Sequence, residues 1–187
     1  MGRWGNPNFF FRSIILVLVF LAGLVPTISA HEKSADRSDR KGFIISLDVG
    51  GGGLHLGGGR DLGAFLGGFK IGGGISERIL LLAEDTTGIG FAGDVPSIEG
   101  IFFAPQFFAT DSFYVRPGFG FGFAEGDVGG GRTLSTDLGF AAGFAAGYEW
   151  RLTKRFAISP EAKFNYLRVE GDNNYSFGVV ADLRLYF

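Results

Sequence analysis

Between Phe43 and Phe187, large apolar side chains recur at every second residue, separated mostly by Gly, Ala or an isolated polar residue. A period of two sends alternate side chains to opposite faces of a β-strand, whereas a helix needs a period near 3.6. Leu138 to Trp150 shows this most fully. Leu138, Phe140, Ala142, Phe144, Ala146, Tyr148 and Trp150 share one face, and Gly139, Ala141, Gly143, Ala145, Gly147 and Glu149 share the other. The Gly139, Gly143 and Gly147 spacing also suits packed membrane helices. Asp137 and Arg151 bound that stretch too tightly for a spanning helix, which takes about 20 residues.

The alternation predicts eight strands, at 43–52, 62–75, 79–87, 98–108, 113–124, 137–150, 156–168 and 176–187. The Ile79 to Glu84 run alternates poorly and completes the count. Predicted connections at 76–78, 109–112 and 151–155 are short, and those at 53–61, 88–97, 125–136 and 169–175 are longer. Short turns at one end and long loops at the other are the layout of an up-and-down membrane barrel. The expected fold class is therefore all-β, an eight-stranded antiparallel up-and-down transmembrane β-barrel over residues 42–187.

Alternation alone does not say which face meets the core. A soluble ligand-binding barrel would cover its exterior with Lys, Glu and Thr. Here the second face is mainly Gly and Ala, which suits the narrow interior of an eight-stranded barrel. The bulky face is then left for lipid. Phe107, Phe113, Trp150, Phe156 and Phe187 fall near the short-turn end, as an interfacial aromatic girdle would.

Isolated charges share the inward parity. A hinge at 172–173 would set Lys163 against Asp182 and Glu161 against Arg184, and paired charges are tolerated in an interior where lone ones are costly. Arg116, with Tyr114, Gln106, Lys70, Asp48 and Glu149, extends this expected lumen network. Pro105, Pro117 and Pro160 fall inside predicted strands, where each removes a ladder donor, and local bulges are expected to absorb them.

The first 30 residues read as an export signal. Arg3 and Arg12 precede an apolar core from Ile14 to Leu24, Pro26 breaks it, and Ile28-Ser29-Ala30 offers a small residue for cleavage. The alternative is an uncleaved anchor, for which the apolar core is short. Residues 31–41, HEKSADRSDRK, read as a disordered polar lead-in. Cleavage would take the charge from 17 − 19 = −2 to 15 − 19 = −4. That balance carries no basic excess for nucleic acid. Cys is absent, which removes disulfides, thiolate-ligated metal and a Cys nucleophile.

The signal, the amphipathic segments and the ending Phe177-Gly-Val-Val-Ala-Asp-Leu-Arg-Leu-Tyr-Phe187 together resemble the bacterial outer-membrane β-barrel family of small opacity-protein, OmpA and OmpX-type barrels. The resemblance covers residues 42–187. It implies that Phe187, with Leu185 and Leu183 at alternate positions before it, is the signal read by the barrel-assembly machinery. It also implies an outer-membrane location among lipid and lipopolysaccharide. Function varies within such a superfamily.

Candidate chemistry is thin. Gly50–Gly53 and Gly57–Gly59 flank Leu54-His55-Leu56 without a phosphate-binding pattern, and read as loop or irregular strand ends. His55 is the one His of the barrel domain, with Ser97, Ser135 and Ser176 on the same long-loop side. A nucleophile and base must lie within hydrogen-bond reach. Asp94, Asp127 and Asp172 lie in predicted long loops, where divalent cations bridging lipopolysaccharide could meet them, but they do not form a dedicated calcium loop. No catalytic, cofactor or metal residue is therefore assigned. The leading expectation is a non-enzymatic envelope or surface-interaction protein, with a surface ligand through the long loops open. A narrow porin-like channel and a lipid A-modifying enzyme are the alternatives.

Overall fold

The computed structural model describes residues 40–91, 95–129, 132–134 and 137–187. The expected signal and residues 31–39 lie outside them, as do Asp94, Ser135 and the side chain of Asp127.

Ten strands form in chain order. They are β1 (Gly42–Leu56), β2 (Arg60–Ser76), β3 (Ile79–Gly90), β4 (Ser97–Phe108), β5 (Phe113–Gly129), β6 (Arg132–Leu134), β7 (Gly139–Tyr148), β8 (Trp150–Arg151), β9 (Phe156–Val169) and β10 (Asp172–Tyr186). Each strand pairs antiparallel with its neighbour, and β10 returns to β1 from Ile44↔Tyr186 to His55↔Tyr175, closing the barrel. The staves number eight, because β7 and β8 are one stave interrupted at Glu149, and β6 pairs only with the far end of β5.

The faces divide as the alternation requires. Phe119, Phe140, Phe144, Phe164 and Phe177 point outward and are exposed. Ser46, Asp48, Lys70, Gln106 and Arg184 point inward and are buried. The girdle residues Phe107, Phe113, Trp150 and Phe187 are exposed beside the short turns.

Three expectations are corrected. First, Gly50–Gly53, expected as loop or the irregular end of a strand closing at residue 52, are the middle of a β1 that runs on to Leu56, paired on both sides. They read as the end of the strand because Gly disfavours strands. Here it is required by a close approach: a Cβ on Gly52 would lie 1.9 Å from the Phe177 carbonyl oxygen, and one on Gly50 would lie 2.1 Å from that of Val179. On the outside, the Phe177 ring covers Gly53.

Second, two of the expected long loops shrink to hairpin tips at 57–59 and 170–171. Glu170 (φ 52°) and Gly171 (φ 90°) both adopt the left-handed conformation of a tight two-residue hairpin turn. The hinge is therefore at 170–171 rather than 172–173. Asp182 pairs with Ser159, Glu161 with Val180, and Lys163 with Gly178.

Third, the prolines need no bulge. The pairs Phe103↔Phe119 and Phe107↔Val115 keep one register across β4 and β5, which sets Pro105 opposite Pro117. Both missing donors fall at that single gap, while Leu81↔Pro105 and Pro117↔Phe144 continue on the other sides. Pro160 likewise pairs with Ala181 on one side and falls opposite Tyr148, where the ladder to β7 breaks, on the other. On the β5 side the Glu149 N–H continues the register by donating to the Ser112 carbonyl at 2.9 Å.

Candidate functional site

The interior is layered. Toward the long-loop end it is apolar, with Leu54, Leu56, Leu66, Ile98, Leu167 and Val169 buried. Below them the Phe102 ring lies against Gly118 and Gly143. The lower half is ionic. Among the described residues, five carboxylates (Asp48, Glu84, Glu149, Glu161, Asp182) and five cations (Arg40, Lys70, Arg116, Lys163, Arg184) are buried there. The side chain of Arg151 is buried as well and bonds Glu149 at 3.2 Å, so six cations meet five carboxylates, and this pairing is what allows so many ions away from bulk water.

Arg116 is the hub. Its guanidinium donates to Glu84 Oε2 at 2.8 Å and Oε1 at 3.1 Å. It also donates to both Glu161 oxygens, at 2.5 and 2.7 Å, and to Gln106 Oε1 at 3.1 Å. Two carboxylates held in bidentate fashion use the planar fork that Lys lacks. The Tyr114 hydroxyl adds a 2.8 Å bond to Glu161. Lys163 reaches Asp48 and Glu84, each at 2.7 Å. Lys70 bonds Asp48 and lies 3.4 Å from Asp182. Arg184 bonds Asp182, and reaches Glu149 at 3.1 Å and Gln106 at 3.2 Å.

All five expected lumen residues, Glu161, Lys163, Asp182, Arg184 and Arg116, are thus brought into one network, but not in the expected pairs. Lys163 meets Asp48 rather than Asp182, and Glu161 meets Arg116 rather than Arg184. The shifted hinge is the reason. Two members had no reading in the sequence. Glu84 sits in the poorly alternating β3, where counting in twos from Leu80 and Leu82 would have found it.

Arg40 lies in the segment expected to be disordered lead-in, yet it is buried. It donates to Glu149 at 3.1 Å, to the Glu77 carbonyl at 3.0 Å and to the Asp111 carbonyl, and it stacks 3.7 Å over the Phe108 ring. Two short turns and the interrupted stave are tied together by one side chain. Arg40→Ala is expected to cost about 1–3 kcal/mol, the range for a lost set of buried hydrogen bonds. The folded gel band should then be lost at a lower temperature than in the unaltered protein.

The carboxylates of Asp48, Glu84 and Glu161 lie within 4.8 Å of one another. Their convergence is explained by Lys70, Lys163 and Arg116 among them, and no metal role follows from it. Beside Glu84, Arg116 and Lys163 the interior keeps a space of about 10 Å³, room for at most one water.

His55 is on the outer face at the long-loop rim. Its Nδ1 lies 2.7 Å from Asp61, and its ring centroid lies 5.6 Å from that of Tyr175. Ser176 points inward and bonds Asn165, on the other side of the wall from His55. Ser97 is three staves away, roughly 14 Å at the spacing of paired strands. Among the described residues, no serine pairs with His55.

No family model and no curated relative matches the sequence. Solved structures do match. Neisserial surface protein A (NspA) superposes with a TM-score of 0.66 at 17% identity, covering 78% of this chain and 97% of that one. This chain has the fold of the small eight-stranded outer-membrane barrels. Ail, the attachment invasion locus protein of Yersinia pestis, has a TM-score of 0.53 at 13% identity, covering 77% of this chain and 99% of that one. At such identities the likeness is one of fold. The eight-stranded barrel seen here is closed, filled and apolar on its outside.

Proposed function

We propose that the chain is a non-enzymatic integral protein of the bacterial outer membrane, exported through a cleaved signal at residues 1–30, with a structural and surface-interaction role in the envelope. The observation that carries this reading is the combination of a bulky apolar exterior with an interior filled by a paired ion network. The first favours residence in lipid, and the second leaves no continuous path for solute. Small barrels of eight strands have little open lumen in any case. Ail, which shares the fold, is an attachment invasion locus protein, and this favours surface interaction for the present chain.

The reading is tested by reconstitution into planar bilayers. No stable conductance steps are expected, and steps that persist in Arg116→Ala as in the unaltered protein would support the porin-like alternative instead. The lipid A-modifying alternative has one check: lipid A mass spectra should be the same with the unaltered protein, with His55→Ala and without the protein.

Phe187, Leu185 and Leu183 are proposed as the assembly signal. All three point outward at the closing seam, where the Phe187 N–H bonds the Phe43 carbonyl at 2.9 Å. Deleting Phe187 is expected to lower the amount of folded protein in cell envelopes several-fold. Refolding in detergent should change little, because no assembly machinery acts there.

A further inference from the structure

The apolar exterior has one break. Asp85 on β3 and Glu99 on β4 both point outward, and Glu125 on β5 continues the line. The register pairs Asp85 with Ile101, Thr87 with Glu99 and Ser97 with Glu125, so the three carboxylates run diagonally across three staves. Asp85 and Glu125 both act on Glu99 as like charges. Among the described residues, neither Asp85 nor Glu99 has an ion pair or side-chain hydrogen bond. Lys163 acts on Asp85 from the interior side of the wall.

A strand tilted by about 40° climbs roughly 2.5 Å per residue. Counting from the short turns, Asp85 stands roughly 15 Å up and Glu99 roughly 22 Å up, inside an apolar band about 25 Å tall, while Glu125, roughly 30 Å up, lies beyond it. Phe65 on β2 and Phe123 on β5, the flanking staves, remain apolar at about 25 Å by the same count. Asp85 and Glu99 are therefore a notch in the band rather than its upper edge. An ionisable group at that depth is expensive and marks a functional position by default.

The notch opens onto a cleft of about 150 Å³. Ile101, Phe121, Phe123 and Leu138 wall it, and the backbone of Gly100 and Gly122, paired across β4 and β5, forms its floor. That volume is the size of a cavity that holds benzene. Asp85 and Glu99 line the same cleft.

We propose that this cleft binds the cationic head and first apolar group of an amphiphile lying in the outer leaflet. A benzene-sized apolar group fits between the Phe walls, and an ammonium beside it pairs with the two carboxylates. Anionic lipid headgroups are disfavoured there by the like charges. The inference extends the surface-interaction reading and rests on the bulky face meeting lipid.

The test uses the full chain folded in lipid nanodiscs, with 4-phenylbutylammonium as probe and 4-phenylbutyrate as its anionic counterpart. Saturable shifts of the Gly100 and Gly122 amide resonances are expected with the amine, at least tenfold weaker with the acid. Asp85→Asn with Glu99→Gln should weaken amine binding at least tenfold. Leu138→Trp, which fills the cleft and keeps both carboxylates, should abolish it. Equal binding of amine and acid, unchanged binding in the double variant, or no saturable shift each overturns the proposal. Nitroxide accessibility at position 144 separates the two readings. A lipid-exposed label with no amine binding defeats only the cleft, whereas a water-exposed label defeats the membrane reading beneath it.

Discussion

Arg116→Ala is expected to destabilise the folded barrel by about 3–5 kcal/mol, the cost of leaving buried charges without their partner. Glu84 and Glu161 each lose a bidentate bond, and Gln106 loses a donor. Glu84 keeps Lys163, and Glu161 keeps the Tyr114 hydroxyl with Lys70 at 3.7 Å. Those contacts offset only part of the loss. Arg116→Lys should recover less than half of it, since one ammonium cannot grip both carboxylates in bidentate fashion. Urea unfolding of the protein in lipid vesicles, followed by tryptophan fluorescence, measures both variants. A stability within about 1 kcal/mol of the unaltered protein, the range of an exposed pair, would mean the network is hydrated and weak.

Gly52→Val should be the second large effect, at or above the 3 kcal/mol upper end usual for overpacking. Its first side-chain atom would fall 1.9 Å from the Phe177 carbonyl oxygen and 2.7 Å from the Gly178 Cα. Both are backbone atoms of β10, so relief requires parting the seam that closes the barrel. The control is the next residue toward the N-terminus. A Cβ on Gly51 points outward and meets nothing nearer than 3.6 Å, so Gly51→Ala should leave stability nearly unchanged. Comparing boiled and unboiled samples on a gel separates the two: the folded band persists for Gly51→Ala and is lost or weakened for Gly52→Val.

These two sites mark the reach and the limit of the sequence. Arg116 was legible as an inward residue because parity along β5 leaves no choice of face. Its partners were not legible. Parity fixes the face of every residue, but a slip of two or four residues preserves all faces. The expected hinge at 172–173 is the middle of the expected 169–175 loop, while the chain turns at Glu170-Gly171. Every cross-strand pair between β9 and β10 moved accordingly.

Gly50–Gly53 failed for a different reason. Gly has low strand propensity, and its use here depends on the backbone of β10 approaching β1, a contact more than a hundred residues apart in sequence. Arg40 had no local signal at all: one Arg in a charged segment is chosen by Glu149, Glu77 and Asp111, which only the closed barrel gathers. Eight staves, two faces and the aromatic girdle needed no such long-range information, since each follows from alternation within a strand.

The central claim is that the bulky face of a filled barrel meets lipid. The absence of native Cys makes single labelling sites clean. Nitroxides placed singly at Phe119→Cys, Phe144→Cys and Phe177→Cys, in protein folded into lipid vesicles, report their surroundings through oxygen and a water-soluble nickel chelate. High oxygen and low nickel accessibility at all three positions is the predicted result. High nickel accessibility at all three would put the bulky face in water, and the barrel would then have to be rebuilt as a soluble one.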